Sequence, residues 1–295
     1  MDARLIAFLE RAEGVLERLE PLLPALRPAI DWNTCLAARW QREGRNGYLL
    51  PLQVSLDMRL SDLIGVDRQR EQLARNTEQF IAGMPANHAL LWGSRGTGKS
   101  SLVRALLAEH AKNGLRLIEI ERDHLADLPR VVEQLMKLPQ RFVLFCDDLS
   151  FESGEGDYRV LKSVLDGSLE QAPDNVLLYA TSNRRHLVPE KESDNENWKH
   201  VDGELHPSEA VEDKIALSDR FGLWLSFYPF TQDHYLNVVE HWITELAHKA
   251  GLQWSRDEQL DILAARWATG RGNRNGRCAY QFARYWVGLQ LLEQR

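Results

Sequence analysis

The run Gly93-Ser94-Arg95-Gly96-Thr97-Gly98-Lys99-Ser100-Ser101 constrains the chain more than any other stretch. It matches G-x-x-x-x-G-K-[ST], with apolar Leu90-Leu91-Trp92 before it and helix-compatible Leu102-Val103-Arg104-Ala105-Leu106-Leu107 after it. The predicted order is strand, loop, helix. Gly93, Gly96 and Gly98 carry no Cβ, so the backbone can curl until several N–H groups converge on a phosphate, reinforced by the positive end of the next helix. Ser94, Arg95, Thr97 and Ser101 complete such a cradle. Lys99 is placed to reach β and γ phosphates, and Ser100 to put its hydroxyl on a bridging Mg²⁺.

Composition narrows the setting. With 295 residues, 44% apolar, and nine Trp, the chain can build a packed core of one or two domains. A formal charge of −7 argues against a surface that coats nucleic acid. No apolar run approaches the roughly 18 residues of a membrane span. Met1-Asp2-Ala3-Arg4 lacks a basic start followed by an apolar region, so a cytoplasmic protein without membrane insertion is expected. Cys35, Cys146 and Cys278 are isolated and read as small buried apolar residues, not as a disulfide or zinc set.

Residues 1–60 read as an N-terminal helical segment, because Leu5, Phe8, Leu9, Ala12, Val15, Leu16 and Leu19 follow helical spacing until Pro21, Pro24 and Pro28. Leu63-Ile64-Gly65-Val66-Asp67 opens an amphipathic helix through Leu73, Phe80 and Ile81 that ends at Gly83. Strands are predicted at 115–120, 142–147 and 176–181, with helices at 128–138 and 158–169 between them. Such alternation implies right-handed crossovers and a parallel sheet sandwiched by helices, with ligands at the carboxyl ends of the strands. Residues 187–214 carry nine acids against three Lys and read as a mobile acidic insertion. A helix at 208–217 and a strand at 223–227 return the chain to the 61–231 core. From 232 to 295 three helices are predicted, around 235–246, 260–267 and 279–292: a helical lid.

Phe142-Val143-Leu144-Phe145-Cys146-Asp147-Asp148 is an apolar strand ending in two acids. Asp147 suits a Mg²⁺ ligand through water, and Asp148 a general base for attacking water. Tyr179-Ala180-Thr181-Ser182-Asn183 puts an amide at another strand tip, able to contact the γ-phosphate or hold that water. Taken with Ser218-Asp219-Arg220-Phe221 and Gly276-Arg277, these pieces resemble the AAA+ ATPases over residues 60–295. More narrowly, the wording around 92–101, 180–187 and 217–223 is similar to a bacterial group of predicted ATPases within that superfamily. The resemblance implies ATP and Mg²⁺ as ligands, Asn183 as a first sensor, Arg220 as an arginine finger for a neighbouring subunit, and Arg277 or Arg274 as a second sensor on the lid. It also implies a homo-oligomer, with a hexamer as one arrangement, hydrolysing ATP to remodel or regulate a macromolecular partner, expected to be protein rather than DNA.

One departure stands out: AAA+ chains usually carry Asp-Glu at this strand tip, and Asp148 is one methylene shorter, which implies slow hydrolysis, a water relay or a switch without turnover. Glu152 is a substitute base candidate, and Phe151 and Tyr158 fall where a pore-loop aromatic can occur. Two other readings share the phosphate loop: an ATP-dependent DNA loader or initiator, for which Arg271, Arg274, Arg277 and Arg284 form a modest basic group, and a kinase of a small acceptor.

Overall fold

Strand pairing begins earlier in the chain than its local periodicity predicts. In the computed structural model, Ala37–Glu43 (β1) and Asn46–Leu52 (β2) pair antiparallel, and β1 runs parallel to a later strand, with Ala37 opposite Leu117. The expected helical segment 1–60 is therefore corrected over these residues. The reason is non-local: Ala37, Ala38 and Trp40 are buried, Arg39 donates through Nε (3.0 Å) and Nη2 (2.9 Å) to Glu119, and the Trp40 indole donates to Asp127 at 3.0 Å. All of these partners lie far downstream, out of reach of any helical pattern.

The structure describes residues 28–44, 46–149, 160–162, 165, 173–183, 199–201, 204–206 and 219–294, together with residues 4, 6, 8 and 11–15. Two units are compact in themselves, Met1–Asp31 and Trp32–Arg295. In the first, residues 11–15 are helical, whereas Leu5, Leu9, Leu16 and Leu19 lie outside the described residues.

In the second unit, Gly65 turns the chain in a left-handed conformation (φ 76°), so the helix expected from residue 63 starts at Asp67 and runs to Ile81 (α1). Ala89–Gly93 (β3), Lys99–His110 (α2), Leu115–Glu119 (β4), Leu128–Leu135 (α3), Arg141–Cys146 (β5) and Val176–Ser182 (β6) follow. Of the helix expected at 158–169, residues 160–162 and 165 are helical and the rest lie outside the described residues. Leu223–Phe227 (β9) closes the sheet, after the short strands Lys199–Val201 (β7) and Glu204–His206 (β8).

The seven-stranded order is β2-β1-β4-β5-β6-β3-β9, parallel throughout except for β1–β2. Its central strands are buried along their length, as a sheet covered on both faces requires. Leu73 and Phe80 of α1 and Leu102 and Leu106 of α2 share one hydrophobic cluster with Leu91, Val143, Phe145 and Tyr179 of the sheet.

β7 and β8 pair antiparallel inside the stretch read as a mobile acidic loop, with Val201 opposite Glu204. The expected loop is thus corrected to paired strands at these residues. Residues 187–198 and the helix expected at 208–217 lie outside the described residues, as do Phe151, Glu152, Tyr158 and Ser218.

The C-terminal lobe is three helices, Gln232–Ala250 (α4), Glu258–Gly270 (α5) and Gly276–Glu293 (α6), around a cluster of their own that includes Tyr235, Val239, Ile243, Ala264, Phe282 and Val287. Each helix begins on a capping side chain: Thr231 accepts from the His234 N–H (3.2 Å), Asp257 from Leu260 (2.7 Å) and Asn275 from Cys278 (2.8 Å). Among the described residues no helix is long and apolar enough to cross a membrane.

Candidate active site

The parallel register of three strands gathers the site. Trp92 of β3 lies opposite Ser182 of β6, and Cys146 of β5 opposite Ala180, so the phosphate loop, the Asp147-Asp148 tip and the Thr181-to-Asn183 tip meet at one edge of the sheet. Gly93 turns there at φ 126°, where a Cβ would meet the Phe227 carbonyl oxygen at 2.0 Å, so only glycine can lie this close to β9. The Ser94 N–H donates to that same carbonyl at 3.0 Å. Gly98 (φ 104°) then launches α2, with Ser101 on its first turn.

Lys99 is buried, and its ammonium lies inside the loop, donating to the carbonyls of Gly93 (2.7 Å) and Ser94 (2.8 Å) and to Asn183 Oδ1 (3.4 Å). Burial lowers its pKa from 10.5 to about 8; Arg95 and Arg277 push the same way and Asp147 and Asp148 oppose them. The Thr97 hydroxyl donates to Ser94 O at 2.8 Å and closes the loop on itself.

Asp147 Oδ1 accepts from the Ser100 hydroxyl at 2.7 Å and from the Thr181 hydroxyl at 2.5 Å. Nothing local in the sequence points to Thr181. Its hydroxyl also accepts the Asp148 N–H at 2.9 Å, so one side chain orients both acids. Asp148 sits at φ 53°, a left-handed conformation that Asp tolerates better than most residues. The turn aims its carboxylate at the Asn183 amide, which donates to it, and puts Oδ2 3.7 Å from the Arg95 guanidinium. Just inside this tip, burial pushes the Cys146 thiol up to about 12, which leaves it an inert part of the core.

The helical lobe touches the loop directly. The Arg277 N–H donates to Gly96 O at 3.2 Å and the Asn275 side chain to Arg95 O at 2.9 Å. Arg277 is exposed, and its charge bears on Lys99. Lys99, Ser100, Asp147, Asp148, Asn183 and Arg277 thus converge. Arg220 does not: it precedes β9, whose first residue Leu223 lies opposite Ala89, at the end of β3 away from the loop.

Residues 33–290 match a family described as "Protein of unknown function (DUF815)". The chain belongs to that family. Among solved structures, this DUF815 protein is similar to the Thermotoga maritima RuvB Holliday junction branch migration motor, at 15% identity and a TM-score of 0.51, over 77% of this chain and 63% of that one. It is also similar to the Aeropyrum pernix Orc1 protein in complex with DNA, at 17% identity and a TM-score of 0.52, over 80% of this chain and 65% of that one. The DUF815 chain therefore spans under two thirds of the length of these neighbours. No curated protein matches it. The likeness fixes the fold as that of AAA+ P-loop ATPases.

Proposed function

We propose that this DUF815 protein binds Mg-ATP at the phosphate loop and hydrolyses it slowly, in a homo-oligomer that acts on a macromolecular partner. The observation that carries this reading is the Ser100–Asp147–Thr181 hydroxyl–carboxylate group beside a lysine held inside a glycine loop. This donor set suits a magnesium triphosphate. Ser100 and Asp147 would hold Mg²⁺, directly or through water, and among the described residues no group of three or more His, Cys, Asp or Glu forms a metal cage of its own. When bound, the ion supplies positive charge across the β and γ oxygens.

The chain's own residues do the rest. Lys99 exchanges two carbonyl partners for phosphate oxygens. Asn183 lies between Lys99 and Asp148, where its amide can hold the attacking water against the carboxylate that takes its proton. Asp148 has a shorter arm than glutamate and is already engaged by Asn183 and Arg95, which favours a low turnover rate. The formal charge of −7 supports a protein partner over DNA. The test is phosphate release from Mg-ATP across protein concentrations: specific activity rises with concentration and disappears with EDTA. Turnover that is independent of both sinks the reading.

Affinity for the nucleotide carries a pH signature. Because the Lys99 pKa of the empty site lies near 8, the ammonium must be recharged on binding above that pH. Affinity is therefore flat below about pH 8 and falls above it, by at most about tenfold per pH unit. Titration calorimetry in buffers of different ionisation enthalpy checks this, since a proton is taken up only on the alkaline side.

A further inference from the structure

Asn275 performs two jobs with one amide. Its Oδ1 accepts the Cys278 N–H at 2.8 Å and caps α6, while its Nδ2 donates to the Arg95 carbonyl of the phosphate loop at 2.9 Å. Only one orientation of the amide satisfies both neighbours; the flipped one would set N–H against N–H and oxygen against oxygen. Around this contact the backbones touch. The Arg277 N–H reaches Gly96 O at 3.2 Å. A Cβ on Gly96 would fall 2.7 Å from the Asn275 amide carbon, and one on Gly276 would lie 3.3 Å from Gly96 O. Gly96 is thus required twice, by the left-handed turn of the loop (φ 77°) and by the approach of the helical lobe.

The residue held by Asn275 is also the one that reaches the acids. Arg95 offers its carbonyl to Asn275 and its guanidinium to Asp148 Oδ2 at 3.7 Å, and Asp148 is joined to Asn183. A path of direct contacts runs from the first turn of α6 through one peptide of the phosphate loop to the carboxylate.

We propose that Asn275 is a positioning residue that ties the helical lobe to the phosphate loop through the Arg95 carbonyl, so that phosphate in the loop moves the lobe and the lobe sets the placement of Arg95 against Asp148. This rests on the nucleotide reading of the site.

The amide chemistry supplies a discriminating variant. Asn275→Asp keeps the cap, since aspartate is as good an N-cap as asparagine and suits the helix dipole, but it cannot donate to Arg95 O and places oxygen against oxygen. Asn275→Ala loses both bonds. Hydrogen exchange of the full chain without nucleotide, melting temperature, Mg-ADP affinity and kcat are measured for both variants.

The expected result for Asn275→Asp is an unchanged melting temperature, about tenfold faster exchange of the Arg277 amide, Mg-ADP affinity within about threefold of wild type, kcat lowered about tenfold, and loss of the exchange changes that Mg-ADP produces in α4 to α6 of wild type. Asn275→Ala adds a lower melting temperature. Unchanged exchange at Arg277 overturns the proposal, and so does faster exchange with kcat and the lobe response intact. If wild type fails to bind Mg-ADP, the nucleotide reading itself falls, whereas the nucleotide-free exchange still reports whether Asn275 holds the loop.

Discussion

Lys99→Met lowers affinity for Mg-ATP by about 10²-fold to 10³-fold, the worth of two charge-assisted hydrogen bonds to phosphate, and leaves the empty protein close to wild type in stability. Both halves follow from where the ammonium lies. In the empty loop it is buried among carbonyls, and burial depresses its pKa to about 8. A base whose folded pKa lies below its unfolded value is a liability below the folded pKa, and the liability fades as pH rises toward the unfolded value of 10.5. Removing the charge relieves that cost; leaving two buried carbonyls without a donor works against the relief. The unfolding free energy of wild type therefore gains a favourable contribution between pH 8 and 10.5 that the variant lacks. Denaturant titration of the two proteins from pH 7 to 10.5 checks the sign, and a contribution of the opposite slope removes Lys99 from the buried position assigned to it. Nucleotide affinity measured beside it separates a binding residue from a packing residue.

Arg220→Ala lowers kcat by about 10³-fold to 10⁵-fold while nucleotide affinity stays within a few fold, the range for a guanidinium that stabilises charge on a transferring phosphoryl group. The geometry restricts how it can act. β9 runs parallel to β3, with Leu223 opposite Ala89 and Phe227 opposite Gly93. A five-residue strand at about 3.3 Å per residue separates its start from the loop by roughly 15 Å, and Arg220 lies further back still. An arginine side chain does not span that distance, so in its own subunit this residue cannot meet the γ-phosphate. In the proposed homo-oligomer its target is a neighbour's loop. Mixing Arg220→Ala with Lys99→Ala tests it: each variant alone is inactive, and mixed assemblies regain part of the activity, because sites form from the intact loop of one and the intact arginine of the other. No recovery over a range of ratios sinks the trans assignment and leaves Arg220 a turn residue before the buried Phe221.

The sequence shows the central sheet well because β3, β5 and β6 announce themselves as largely apolar runs and β4 as one interrupted by Arg116, and 223–227 is predicted to the residue. The helical lobe is equally visible, through the spacing of its apolar residues. The β1–β2 hairpin is hidden because its burial depends on β4 and Asp127, so alternation there is obscured by Arg39 and Arg42, which find their own partners downstream. At the site, Lys99, Ser100 and Asp147 follow from motif chemistry alone. Thr181 does not, because its role arises from register: Cys146 opposite Ala180 sets Asp147 beside Thr181, and nothing local states that pairing. A polar residue two positions ahead of Asn183 at the tip of a buried strand was the available signal. Asn275 was not legible as a contact of the loop, since Arg95 is remote in sequence.

The strand that carries the phosphate loop bonds only to strands made later. β3 lies between β6 and β9, and the loop is anchored where Ser94 meets the Phe227 carbonyl. A nascent chain that has passed Ser101 holds every residue of the motif and none of its shape. The β1–β2 hairpin can close early on local contacts, whereas β3 must wait for two long-range pairings whose loop closures make them slow. The shape of the loop is thus one of the last features the folding chain acquires, and under the proposed function a bound nucleotide would report that the sheet is complete.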